Sequence, residues 1–232
     1  MLTLKDFQLD TLQSSLDPHT TVLCIDCGLI DYQEALSLQL ALREQVIDSS
    51  LPALLLICEH PAVITLGLHK QHNQLLYSVQ QLESLGIEVV PTRRGGGSTA
   101  HNSGQLVLYP IMRLASFNFR IATFVHAIEQ LGMHVLQETG ISSNRKNRYP
   151  GLWVHDKKIA SLGTQIHQGV SMHGIAINLY NDLTIFDYIV PCGLEGVAMT
   201  NVVQEGGRHI PIQKLKEIAE SCWASLCESQ KQ

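Results

Sequence analysis

Leu152-Trp153-Val154, then Ile159-Ala160-Ser161-Leu162-Gly163-Thr164-Gln165, then His173-Gly174-Ile175-Ala176-Ile177-Asn178-Leu179 follow one another with short gaps. Each is a short apolar run, and each reads as a strand. Upstream, Val22 to Ile25, Leu54 to Cys58, Ala62 to Leu66, Glu88 to Pro91, Leu106 to Tyr109 and His134 to Gln137 read the same way. Pro110 is expected to end the Leu106 strand. Helices are expected over Ile30 to Val46, where Ala35, Leu38, Leu42 and Val46 recur at helical spacing, and over Val79 to Leu85, stopped by Gly86. Two more are expected over Ile121 to Leu131, with Gly132 at its end, and over Pro211 to Leu226, with Pro211 in the first turn. Strands and helices alternate irregularly. That pattern predicts an α/β protein of the α+β kind, a mixed central sheet flanked by helices. No repeat or linker divides the chain, so residues 1–232 read as one domain.

Composition narrows the class. Hydrophobic residues make up 45% of 232, enough for a sizeable core and too many for a disordered chain. The net charge of -5 is unevenly spread. From Arg93 to Lys158 there are nine basic residues and three acids, a balance of +6 against -11 for the rest. Such a region suits an acidic partner or is a solvated face. It lacks the dense basic run with interleaved aromatics that nucleic-acid binding would favour. No stretch is long and apolar enough for a membrane span, and Met1 to Asp10 has no leader-like apolar run. The six cysteines therefore read as free thiols of a cytoplasmic protein.

Four stretches carry chemistry. Arg93-Arg94-Gly95-Gly96-Gly97-Ser98-Thr99-Ala100-His101-Asn102-Ser103-Gly104-Gln105 is a glycine-rich turn whose backbone can approach a ligand closely. If the segment is extended, Thr99 and His101 face the same way. It matches neither a phosphate loop nor a dinucleotide fingerprint. In Lys157-Lys158-Ile159-Ala160-Ser161-Leu162-Gly163, an inward-facing Ile159 puts Lys158 on the other side. Held near a dry cleft, Lys158 can exchange protons; the plainer reading is a solvated lysine at a hairpin tip. His173-Gly174-Ile175-Ala176-Ile177-Asn178 reads as a buried strand with a close approach at Gly174. Alone, His173 is more often a hydrogen-bonded structural residue. In Ile189-Val190-Pro191-Cys192-Gly193, Pro and Gly set a turn around one thiol, an accessible place for a nucleophile or for an inert cysteine. Cys24-Ile25-Asp26-Cys27 has zinc-like spacing but no obvious second ligand pair; a site completed by His69 and His72 would need a distant coincidence of the fold, so alternation on a strand is the simpler account and no metal is expected. Cys222 and Cys227 read as helix fillers.

Together these stretches resemble the octanoyl-[acyl carrier protein]:protein octanoyltransferase family, the lipoyl(octanoyl) transferases. That family shows Arg-Gly-Gly-x-x-Thr-x-His-Gly-Pro-Gly-Gln, Lys-Ile-x-x-x-Gly, His-Gly-x-Ala-x-Asn and Pro-Cys-Gly in this order. Here they stand at Arg94 to Gln105, Lys158 to Gly163, His173 to Asn178 and Pro191 to Gly193. Smaller echoes are Glu59-His60-Pro61 before Thr65-Leu66-Gly67, and Gly151-Leu152-Trp153-Val154. Asn102-Ser103 replaces the family's Gly-Pro, so the loop after His101 is expected to take its own path at the pocket rim.

The resemblance implies the fold of lipoate- and biotin-protein ligases. It implies an acyl pocket lined by Arg94, Gly95, Gly96, Gly97, Ser98, Thr99, Ala100 and His101, by Ser161, Leu162 and Gly163, and by Gly174, Ile175 and Ala176. It implies Cys192 as the acyl-carrying nucleophile and Lys158 as the proton shuttle, with no cofactor. The implied donor is octanoyl-acyl carrier protein, an acidic partner for the basic third. The implied acceptors are lysines of lipoyl domains of 2-oxoacid dehydrogenases and of the glycine cleavage H protein. An ATP-dependent lipoate-protein ligase, an octanoyl amidotransferase and a non-catalytic binding module for acyl carrier protein or lipoyl domains are the alternatives.

Overall fold

An eight-stranded mixed sheet carries the molecule. The structure, a computed structural model, describes residues 1–3, 22–48, 51–193 and 196–230. Most of Met1 to Asp10 and the side chain of Cys192 lie outside them. In chain order the elements are β1 (Leu2–Thr3), β2 (Val22–Leu29), α1 (Tyr32–Ile47), β3 (Ala53–Glu59), β4 (Val63–Leu66), β5 (Gln74–Leu75), α2 (Val79–Ser84), β6 (Glu88–Pro91), β7 (Thr99–His101) and β8 (Gln105–Ile111). Then come α3 (Ile121–Glu138), β9 (Asn144–Lys146), β10 (Tyr149–Val154), β11 (Lys157–His167), β12 (Val170–Asn178), β13 (Ile189–Val190) and α4 (Ile212–Ser229). The main sheet runs β1-β2-β3-β8-β12-β11-β10-β9. Its first three strands are parallel and the rest pair antiparallel. A smaller sheet, β6-β4-β7, stands beside it.

Local signals account for the elements. Asp31 caps α1 by accepting from the Gln33 and Glu34 amides, and Ser78 and Gln81 form a capping box on α2. Buried Tyr32, Ala35, Gln39, Leu42 and Val46 recur every three or four residues along α1. Ala35, Leu42 and Val46 pack on one face of the main sheet, and Tyr32 packs on Val63 and Val90 of the smaller one. Helices α3 and α4 cover the other, with Phe124 and Trp223 edge to face between them, centroids 6.3 Å apart. The inner strands, covered on both faces, are apolar without alternation.

Three sequence expectations need correction. His134 to Gln137 is not a strand, and Gly132 does not end a helix: α3 runs unbroken to Glu138. A side chain at 132 would fall 2.8 Å from Leu152 Cδ1 and 2.9 Å from Ile175 Cδ1. Gly132 therefore marks where the helix crosses the sheet, and that close approach outweighs its low helix propensity. Pro110 does not end β8 either. The Pro110 carbonyl accepts from the Ser171 hydroxyl, so its nitrogen faces β12 near His173, whose φ of +57° breaks the regular ladder there. A missing N–H costs nothing at such a point. No helix among the described residues is long and apolar enough to cross a membrane.

Candidate active site

The glycine-rich stretch links β6 to β7 and lies across the β11–β12 pair. Arg94 anchors it. Its guanidinium donates to Thr65 Oγ1 and to the Thr65 and Gly95 carbonyls, at 2.8–3.1 Å. The Gly95 N–H donates to Thr164 O at 2.9 Å, which ties the loop to β11. Gly97 passes so close to the chain that a Cβ there would sit 2.2 Å from His72 O. Only glycine fits.

Beneath the loop is a narrow slot lined by Tyr32, Arg94, Gly96, Thr99, His101, Val107, Tyr109, Ser161, Leu162, Gly163, His173, Gly174, Ile175 and Ala176. Gly163 and Gly174 face each other across the β11–β12 pairing. Side chains there would meet Gly95 O at 2.7 Å and Leu108 O at 2.0 Å, so two missing side chains keep the slot's floor flat. Burial holds the slot's histidines and Tyr32 neutral. It pushes His101 and His173 down to about 3 and neighbouring His60 to about 4, and Tyr32 up to about 12. His60 Nε2 lies 2.8 Å from the Tyr109 hydroxyl, and His101 Nδ1 lies 2.7 Å from Gln105 Oε1. The His173 amide donates to Gln39 Oε1 of α1 at 2.9 Å. Apart from the Arg94 guanidinium, whose donors are taken up by Thr65 and Gly95, the slot's walls carry no charge, so an alkyl chain can lie against them.

The slot adjoins a cavity of about 460 Å³, and the two share Gly96, Leu162 and Gly163 as lining. His69, His72, Gly95, Val125, Arg148, Tyr149, Pro150, Lys158 and Thr164 complete the cavity wall. Lys158 is no hairpin-tip lysine: it is 2% exposed, with its ammonium 5.5 Å from the Trp153 ring centroid. Its backbone is held on the outer edge by Ala198 O and the Thr200 N–H, each at 2.9 Å. Gly151, at φ +116°, makes room for it, since a Cβ there would fall 2.9 Å from Lys158 Cε. A register shift between Leu152 and Trp153 re-aims the strand at the same place.

The turn Pro191–Gly193 packs on the wall of this cavity. Gly193, at φ +66°, lies against His72, whose Cβ is 2.7 Å from where a Gly193 side chain would start. Ser98 Oγ donates to Val190 O at 2.9 Å and to His72 O at 3.3 Å, clamping glycine loop and turn together. The backbone of Cys192 thus sits beside His72, which lines the same cavity as Lys158.

Of the residues expected to line an acyl pocket, ten border the slot: Arg94, Gly96, Thr99, His101, Ser161, Leu162, Gly163, Gly174, Ile175 and Ala176. Gly95 borders the outer cavity instead. Gly97 and Ser98 hold the loop to His72, and Ala100 is in the core behind β7. Asn102 and Ser103 border neither cavity; Asn102 bonds Asp182 O and Asn181. Sequence reasoning missed Tyr32, Val107, Tyr109, His72, Val125 and Arg148, which come from elements far apart in the chain. Cys24 and Cys27 face opposite sides of the main sheet, and burial raises both thiols to about 12. The basic third does not form one patch: Arg94 and Lys158 are inside, whereas Arg145, Arg148 and Lys157 are exposed around β9 to β11.

Residues 31–223 match the family of the lipoyl protein ligase A/B catalytic domain. An octanoyltransferase of Maridesulfovibrio salexigens is 35% identical over 194 residues, 84% of this chain and 91% of that protein. Among solved structures, a lipoate-protein ligase A bound with ATP superposes with a TM-score of 0.67 at 16% identity, over 89% of this chain and 85% of that one. A biotin protein ligase of Leishmania major with biotinyl-5-AMP does so with a TM-score of 0.52 at 9% identity, over 92% and 76%. The fold expected from the sequence is the fold found.

Proposed function

The chain belongs to the lipoyl protein ligase A/B catalytic domain family, and from that premise we infer that it is an octanoyltransferase of lipoate synthesis that works through a Cys192 thioester. The observation that carries this reading is that the slot adjoins, at Gly96, Leu162 and Gly163, the cavity holding buried Lys158, against whose wall the Pro191–Gly193 turn packs. The Cys192 thiolate attacks the thioester carbonyl of octanoyl-acyl carrier protein. The donor's C–S bond breaks, and the leaving pantetheine thiolate takes the proton that Lys158 received from Cys192. The octanoyl chain runs from the cavity into the slot, whose free volume of about 30 Å³ widens to admit it. A lysine amine of a lipoyl domain, such as those of 2-oxoacid dehydrogenases or the glycine cleavage H protein, then attacks the acyl-enzyme. An amide C–N bond forms and Cys192 is released. Backbone N–H groups of the glycine loop or the turn stabilise the oxyanion, a contribution of about 3–4 kcal/mol per donor. The exposed Arg145, Arg148 and Lys157 suit the acidic carrier protein. The reaction needs no metal or nucleotide and runs in the cytoplasm.

Intact-mass spectrometry tests the reading. Wild type mixed with octanoyl-acyl carrier protein gains one octanoyl group, and Cys192→Ser forms no thioester. Adduct formation on another cysteine, or turnover of free octanoate that depends on ATP, refutes it.

A further inference from the structure

The two half-reactions differ in their proton balance. In the first, a thioester and a thiol exchange, and no proton is left over. In the second, the acceptor ammonium becomes an amide nitrogen and loses two protons. One ends on the Cys192 thiol; the other must leave the enzyme. Lys158 can pass a proton along, but it is 2% exposed and reaches solvent only through the cavity it lines.

The cavity wall offers one route. Its ionisable lining groups among the described residues are Lys158, Arg148, Tyr149, His69 and His72, with no carboxylate among them. Lys70 lies in the same 3-10 turn as His72. Arginine does not deprotonate, and free tyrosine titrates near 10. Imidazole is the side chain that gains and loses a proton near neutral pH. His72 is half-buried and touches Gly193, next to Cys192. His69 is exposed and meets His72 edge to face, centroids 5.8 Å apart. The two imidazoles thus lead outward from the catalytic turn to solvent.

We propose that His72 is a relay residue that carries the surplus proton of the amide-forming half-reaction from Lys158 towards solvent, with His69 outboard of it. The proposal rests on the Cys192 thioester reading above and adds a residue that none of the four sequence stretches contains.

The test separates the half-reactions. Acyl-enzyme formation is followed by rapid-quench intact mass, and octanoyl transfer to a lipoyl domain is followed from the isolated acyl-enzyme across pH 6 to 9. In His72→Gln, transfer falls by about tenfold or more relative to acylation, towards the ~10²-fold scale of general acid–base groups. The loss is concentrated at low pH, where hydroxide cannot remove the proton, and added imidazole restores transfer in His72→Ala. Equal loss in both half-reactions without imidazole rescue means His72 only braces the turn, and the relay is refuted. Unchanged transfer refutes it too. Failure of wild type to form any thioester refutes instead the underlying reading, so the two failures are distinct.

Discussion

Replacing Gly163 by alanine tests whether the slot and the Lys158 cavity form one acyl channel. Gly163 has no positive φ, so alanine suits its backbone. The obstacle is space: the new Cβ would lie 2.7 Å from Gly95 O and 3.4 Å from Arg94 Cδ. The near neighbour is backbone, so the glycine loop must move by about 0.7 Å to reach ordinary contact. That shift loads the bond from the Gly95 N–H to Thr164 O, and overpacking of this kind costs about 1–3 kcal/mol. Gly163 lines both cavities, so the methyl also stands at their junction. A chain that must pass the junction meets that cost, and one that stops short does not. Acylation by octanoyl donors should therefore fall about 5- to 150-fold relative to acetyl donors, the fold-change matching 1–3 kcal/mol. The assay is the rate of acyl-enzyme formation by intact mass with donors of two, four, six and eight carbons. An unchanged ratio of octanoyl to acetyl rates in a folded variant would show that the acyl chain does not run past Gly163.

Further outcomes follow from the same geometry. Lys158→Met and Lys158→Arg should both lower transfer by ~10²- to 10⁴-fold, because arginine keeps the charge but cannot pass a proton; stopped-flow rates with Lys158→Arg near wild type would exclude proton shuttling. Ser98→Ala removes the bonds to Val190 O and His72 O and should cost about 1 kcal/mol, slowing both half-reactions alike; a melting curve and the two rates check this. Buried His60, His101 and His173 have folded pKa values below the ordinary 6.5, so below pH 6.5 the unfolded chain binds more protons than the folded one. Their penalty is absent above that pH and grows as pH falls towards 4, by up to about 4 kcal/mol per pH unit for the three together. Urea titrations at pH 7 and 5 measure it, and equal midpoints would contradict the neutral assignment.

The sequence by itself determined the α+β class, most strands and, through the family motifs, ten of the fourteen residues that line the slot. It could do so because those signals are local. Apolar runs bounded by Gly and Pro specify strands, and a glycine is required wherever backbone comes too close for a side chain, as at Gly97, Gly163 and Gly174. The same local reading failed at Gly132 and Pro110, where the deciding contacts are with Leu152, Ile175 and the Ser171 hydroxyl, all distant in the chain.

Tertiary structure decided the rest. Whether Lys158 is a solvated tip or a buried amine depends on Gly151 and on the 198–200 segment packing beside it. Tyr32 from the first helix and Tyr109 from the middle of the sheet join the slot through the stacking of layers, which no spacing records. His72 comes to lie beside the Pro191–Gly193 turn because a folded sheet edge and a glycine loop meet there, clamped by Ser98. Residue types and their spacing fix which groups can react; only the packing of distant segments fixes which of them share a wall.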